Sequence, residues 1–343
     1  MTLTRRNMLA AAGLAFGFSL LPPPANAQDT VELRFADSFP VQHFLSREGM
    51  VYFMNRATEL SGGKIKWTHF PAEQIAKADG ILQAIRTNRV DAGYIGPGYV
   101  SDRMPLANVA QLPGLASSAT QASKAFYKVV MEGSIREEYK ANGLVPLLAV
   151  VLPPYQLVLK NGPARNLEEI KGLRLRSAGG SMNLTATAIG ATYVAMPAPE
   201  MYLAMERGVI DGTFLAFNSV KPYNVHEIAK AISTNGSFGS FAISAAINER
   251  TFNKLDPELQ KVLLQAGQEA SKHLIEYMEA EVEGLLKEFK EKGIELYAFE
   301  EADLKAINER LSTVADEWVA RMEERKLDGR KVLEEYKAAL AAN

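Results

Sequence analysis

The feature that most limits how this chain folds is an internal echo. With Asp91 set against Asp211, Ala84-Ile85 falls on Ala204-Met205, Asn88 on Gly208, and Val90-Asp91-Ala92 on Ile210-Asp211-Gly212. In each copy an amphipathic helix ends at a residue tolerant of the left-handed region, and a strand begins almost at once. That is the helix-to-strand step of a parallel sheet, so two copies 120 positions apart call for one α/β unit each. Similarity over ten residues also arises by chance, and the surrounding pattern has to agree with it.

It agrees. Hydrophobic periodicity predicts strands at 31–37, 64–70, 91–96, 144–151, 155–160, 172–177, 210–214 and 241–247. Helices are expected at 44–60, closed by Ser61-Gly62-Gly63, and at 76–87, 181–190 and 199–207. From Pro257 to Lys292 the pattern is one long helix, spanning ~50 Å at 1.5 Å per residue, more than a compact lobe needs. The fold class is α/β.

Residues 1–27 read as a secretory signal: Arg5 and Arg6, an apolar stretch from Met8 to Leu21, Pro22-Pro23-Pro24, then Ala25-Asn26-Ala27 as the cleavage site. Thr4-Arg5-Arg6-Asn7-Met8-Leu9 also fits a twin-arginine signal. The apolar run falls short of the ~20 residues of a membrane span. Without residues 1–27 the chain has 316 residues, with 36 Lys and Arg against 40 Asp and Glu and no cysteine. An exported protein of that size without disulfides suits the bacterial periplasm. Its mildly acidic balance disfavours nucleic acid, and its length exceeds what one core usually organises.

Lys171-Gly172-Leu173-Arg174-Leu175-Arg176-Ser177 places two arginines at i, i+2 on an apolar run, so both side chains leave one face of a strand. No acidic residue lies within several positions on either side of the pair. A guanidinium on a core strand needs an anion, and a ligand carboxylate fits its planar fork. An ordinary solvated or ion-paired strand arginine is the competing reading.

The order Pro71-x-x-Gln74, Asn88-Arg89-Val90-Asp91, Lys171-Gly172-Leu173-Arg174-Leu175-Arg176, then Met196-Pro197-x-x-Glu200-x-Tyr202-x-Ala204-Met205-x-x-Gly208-Val209-Ile210-Asp211-Gly212, followed by one long helix, resembles the solute-binding proteins of tripartite ATP-independent periplasmic (TRAP) transporters, DctP type. The resemblance covers essentially the whole chain after residue 27. It implies a two-lobe periplasmic-binding-protein architecture with crossing hinge strands and a helix spanning both lobes. On that layout 28–153 with 236–275 form lobe I, and 154–235 with 276–343 form lobe II with the connecting and C-terminal helices. The resemblance further implies that Arg176 pairs with the carboxylate of an organic acid. The lobes would close on this ligand and deliver it to the small and large membrane subunits of a transporter, with the binding protein a monomer or a dimer.

Two departures from that family's pattern bear on the ligand. Tyr155-Gln156 stands where acid-sugar and many dicarboxylate binders carry a second arginine, and Thr213-Phe214-Leu215-Ala216-Phe217 stands where a polar segment often follows Asp-Gly. Both favour a monocarboxylate with an apolar or aromatic body, a 2-oxo or aromatic acid, over a C4-dicarboxylate. Phe214, Leu215 and Phe217 as plain core packing is the alternative. Strand-end loops supply further candidates: Phe39 and His43 after the first strand, Gln74 after the second, Tyr94 and Gly96-Pro97-Gly98-Tyr99 after the third. Gln74 is either a donor to a carboxylate or a cap for the next helix. The glycine-rich loop is either a close approach to ligand or a plain turn.

Enzyme signatures are missing. His43, His69, His226 and His273 have no metal-site spacing, and neither a G-x-S-x-G elbow nor a Walker A loop is present. No catalytic residue, metal or cofactor is expected. A periplasmic sensor component that presents ligand to a receptor remains the other class.

Overall fold

The computed structural model describes residues 30–342, so the expected signal at 1–27 lies outside the described residues. The strands are β1 (Val31–Ala36), β2 (Ile65–Phe70), β3 (Ala92–Ile95), β4 (Leu144–Val151), β5 (Gln156–Leu159), β6 (Arg174–Ser177), β7 (Thr192–Ala195), β8 (Gly212–Leu215), β9 (Ala231–Ser233), β10 (Ala242–Asn248) and β11 (Glu295–Tyr297). They form two sheets, ordered β2-β1-β3-β10-β4 and β11-β9-β5-β8-β6-β7. Each sheet centres one α/β lobe, as expected.

The echo is built twice in three dimensions. β1 pairs in parallel with β2 and β3, and β6 pairs in parallel with β7 and β8. Asn88 and Gly208, ending the two helices, both have positive φ, at 58° and 71°. Arg34 and Asp91 in one copy, and Arg174 and Asp211 in the other, make the same contacts. In each, the arginine amide and Nε donate to Oδ2, at 2.9 and 2.9 Å for Arg34 and 2.9 and 3.0 Å for Arg174, while Nη2 donates to Oδ1. A carboxylate at the start of the third strand therefore braces the middle of the first in both lobes.

Besides the C-terminal helices, three links join the lobes. The chain crosses from β4 to β5 over 152–155 and returns from β9 to β10 over 234–241. The two crossings are bonded to each other: Leu152 N–H donates to the Phe241 carbonyl (3.0 Å), Tyr155 N–H to Gly239 (2.8 Å), and Phe238 N–H to Tyr155 (3.1 Å). The third link is the helix Pro257–Glu291. Its first half lies on β4 so closely that a Cβ at Gly267 would run into the Leu147 carbonyl oxygen. Its second half takes a bond from Asn218 Nδ2 at the Met278 carbonyl (3.1 Å), pairs Glu288 with Lys221 (2.9 Å) and buries Phe289 in the second lobe's core.

The larger core covers the first sheet and one face of the second; a smaller one, with Val158, Met201, Leu215, Phe217 and Tyr223, covers the second sheet's other face. The C-terminal helices Glu301–Leu311, Val314–Glu324 and Gly329–Ala341 lead back toward the first lobe. The last buries Val332, Leu333, Tyr336 and Leu340 and packs along Ala119–Met131, on the side of the first sheet. The sequence reading had placed all of 276–343 with the second lobe, and this apolar stripe is what draws the final helix away.

Element boundaries moved where backbone is tied down by side chains or glycine. The helix expected at 76–87 is α-helical only over Ile81–Arg86, because Ala72 and Glu73 take positive φ and the Glu73 carboxylate accepts the Ala78 N–H (2.9 Å), holding the chain in a loop. The helix at 44–60 opens as a wide π-type turn over Leu45–Val51 before Tyr52–Leu60. Gly172, at φ 79°, delays β6 to Arg174.

Candidate functional site

Arg176 stands at the C-terminal end of β6, on the face it shares with Arg174, Thr213 and Val194. The two arginines meet different fates. Arg174 is half exposed and spans Asp211, so its partner acid comes from the next parallel strand and not from its own neighbourhood. Arg176 is 1% exposed. Its Nε donates to the Met196 carbonyl (2.9 Å), its Nη2 donates to Tyr99 Oη (3.1 Å), and its Cζ lies 5.9 Å from the centre of the Tyr99 ring. Among the described residues no carboxylate pairs with it.

Tyr99 comes from the first lobe, so these contacts cross the cleft. Its Oη also accepts the Ala198 N–H (3.1 Å). Beside it the backbones of the two lobes nearly touch: a Cβ at Gly179, which has φ 90°, would sit 2.6 Å from the Gly98 carbonyl oxygen. This close approach explains a glycine on each side. Phe241 lies against Tyr99, with ring centres 4.8 Å apart.

From the first lobe, Phe39 stacks between two further candidates, 4.4 Å from the Tyr94 ring and 5.2 Å from His43. Its loop is locked by the buried Asp37 carboxylate, which accepts the Phe39 N–H (2.9 Å) and faces His69 Nε2 (2.7 Å). His43 reaches Tyr223 of the second lobe, with ring centres 4.8 Å apart. Tyr94, Tyr99, Tyr155 and Tyr223 lie close enough to one another and to Arg176 to feel each other's charge. Burial raises the Tyr94, Tyr155 and Tyr223 hydroxyls well above the ordinary tyrosine range, against the pull of the guanidinium, so they are neutral hydroxyls at any physiological pH.

Burial pushes His43 down to about 3, so the ring is neutral. Its Nδ1 faces the Leu45 N–H at 3.1 Å and must accept, which leaves the ring proton on Nε2. Neither His43 Nε2 nor Tyr94 Oη, both buried, has a hydrogen-bond partner.

The sequence-predicted residues therefore divide. Arg176, Phe39, His43, Tyr94 and Tyr155 come together between the lobes. Phe217 packs with Leu215 and Tyr223 in the smaller core, on the Arg176 side of the second sheet. Three expectations fail on position. Phe214 alternates to the opposite face of β8 and stacks on Phe238 at 5.5 Å, inside the larger core. Gln156 spends its amide on the hinge: Oε1 accepts from the Ser233 hydroxyl (2.9 Å) and Gly236 N–H (3.0 Å), and Nε2 donates to the Gly236 carbonyl (2.7 Å). Gln74 is exposed in the turn after β2, whose Ala72 N–H donates to the Phe39 carbonyl (3.1 Å), and so stands outside the buried cluster of rings. Tyr223 escaped notice because it lies in an irregular segment with no periodicity to mark a face, and Phe241 because it opens an expected strand that is buried along its whole length. Tyr99, seen only as part of a glycine-rich loop, is the residue that meets Arg176.

No helix among the described residues is long and apolar enough to cross a membrane. Residues 39–322 match the family model described as DctP, bacterial extracellular solute-binding protein, family 7. The 2,3-diketo-L-gulonate-binding periplasmic protein YiaO of Escherichia coli is 24% identical over 309 residues, 88% of this chain and 85% of that one. A TRAP solute-binding protein from Rhodoferax ferrireducens, solved with copurified benzoate, superposes with a TM-score of 0.83 at 24% identity, over 91% of this chain and 98% of the other. One from Bordetella bronchiseptica, with bound (R)- and (S)-mandelate, gives 0.82 at 22%, over 91% and 99%. Two lobes with crossing strands, a helix that spans them, and a family match over most of the length lead to one conclusion: the chain belongs to the DctP family, the periplasmic solute-binding proteins of TRAP transporters.

Proposed function

We propose that this protein captures the carboxylate of an organic acid on Arg176, closes its lobes over it, and presents it to the membrane subunits of a TRAP transporter from the periplasm, after export by the signal at 1–27. The observation that carries the reading is a guanidinium 1% exposed with no acid against it among the described residues. An uncompensated buried cation costs several kcal/mol, and a carboxylate gripped by the fork offsets that cost. Ligand is what this site lacks to balance its charge.

The body of the ligand is apolar or aromatic. Tyr94, Tyr99, Tyr155 and Tyr223 lie around the guanidinium, Phe39 and Phe241 pack on Tyr94 and Tyr99, and among the described residues Arg176 over Tyr99 is the one cation set over any of these rings. Benzoate and mandelate in the two solved relatives are acids of this kind. Arg176→Lys should weaken binding of any acid the wild type takes by about 30-fold or more, ~2 kcal/mol, since an ammonium cannot keep both the fork and the Met196 carbonyl. Titration calorimetry giving wild-type affinity in that variant would end the assignment.

A further inference from the structure

Two buried polar atoms among the rings where the lobes meet have no hydrogen-bond partner. His43 Nε2 carries the ring proton, because Nδ1 is committed to the Leu45 amide, and its ring lies against Phe39 of its own lobe and Tyr223 of the other. Tyr94 Oη lies on the other side of Phe39, within the electrostatic reach of Arg176, Tyr99, Tyr155 and Tyr223. Buried donors of this kind are normally satisfied, and in a binding site the satisfying group belongs to the ligand. Both groups are neutral. What they offer is hydrogen bonding without a counter-charge, which suits an uncharged oxygen and does not suit a second carboxylate.

We infer that the ligand carries, besides the carboxylate held by Arg176, an uncharged oxygen, either hydroxyl or carbonyl, that takes the His43 Nε2 proton or meets the Tyr94 hydroxyl. The inference rests on the proposed carboxylate site. It makes His43 and Tyr94 specificity-determining residues, because a site built to bond an oxygen rejects the analogue lacking it far more strongly than an apolar wall rejects a missing methylene.

The test is titration calorimetry on the full chain after residue 27, with matched pairs of acids: mandelate and phenylacetate, phenylpyruvate and 3-phenylpropanoate, 3-hydroxybenzoate and benzoate. The oxygenated member should bind more than fivefold tighter in at least one pair. Tyr94→Phe or His43→Phe should bring that ratio within fivefold. Tyr94→Phe removes only an unpartnered oxygen from a ring that keeps its packing, so it folds even if the histidine variant does not. Ratios within fivefold for every pair in the wild type, or a preference that survives in both variants, would overturn the inference. Arg176→Lys separates the two levels. If all acids weaken together while oxygen makes no difference, the carboxylate site stands and the second contact falls. If acids bind without regard to Arg176, or none binds, both fall.

Discussion

Arg176 and Tyr99 belong to different lobes and are joined by a single hydrogen bond, Nη2 to Oη at 3.1 Å, while the same oxygen takes the Ala198 amide. One phenol thus ties Arg176 and its neighbouring loop to the opposite side of the cleft. Tyr99→Phe should lower ligand affinity by about 5- to 30-fold, ~1–2 kcal/mol, the worth of bonds to a charged group and to an otherwise unpartnered amide. With the lobes open in the ligand-free protein, as the hinge reading expects, these bonds are absent, so the melting temperature of the ligand-free variant should stay within about 2 °C of wild type. Unchanged affinity, or a large fall in the ligand-free melting point, would place the tyrosine's role elsewhere.

Closure itself has a solution signature. The lobes touch through Gly98 and Gly179 and are linked by two bonded crossings and one helix, an arrangement suited to hinge motion. Small-angle scattering should give a smaller radius of gyration with a tight ligand than without it. Superimposable profiles would argue against a hinge.

The aromatic surroundings of Arg176 predict an order of ligands. Burying a second carboxylate among Phe39, Tyr94 and Tyr223 leaves it without a cation, at a cost of several kcal/mol. An aromatic or branched monocarboxylate should therefore outbind succinate and malate by about tenfold or more, ~1.4 kcal/mol. The reverse order in side-by-side titrations would show that the rings are only packing.

His43 makes stability fall in acid. Folded, it titrates at about 3; unfolded, near 6.5, so the unfolded chain binds the proton first as pH drops. Its contribution is complete above about pH 6.5 and is lost progressively toward pH 3. Between pH 7 and pH 5 the wild type should lose about 2 kcal/mol more unfolding free energy than His43→Phe, measured by urea denaturation. Equal losses in the two proteins would mean that the ring reaches solvent.

Much of this architecture was legible because it repeats. Asn88 and Gly208 mark the same turn, and Asp91 and Asp211 the same brace, so the echo in the letters is an echo in space. β4 and the long helix were legible from long uninterrupted patterns. The short strands β7, β9 and β11 were not, since three or four residues carry too little periodicity to separate from loop. The burial of Arg176 on its strand agrees with the sequence pattern, but Gln156 and Phe214 were misplaced. Which face of a short strand a residue takes, and whether an amide is already spent on a neighbouring backbone, depend on register and on segments 80 residues away. Arg174 misled for the same reason: its acid is 37 residues downstream.

The matched braces also allow position-by-position comparison of the lobes. Two residues beyond Arg34 stands Ala36, opposite Gly93; two beyond Arg174 stands Arg176, opposite Thr213. The framework was kept in duplicate while its tips diverged, one becoming blank and the other charged. On the proposed reading, recognition of the acid group is the work of one half alone, and the other half contributes shape and a phenol. A ligand would then dock on the charged half while the cleft stands open, with the blank half as the door.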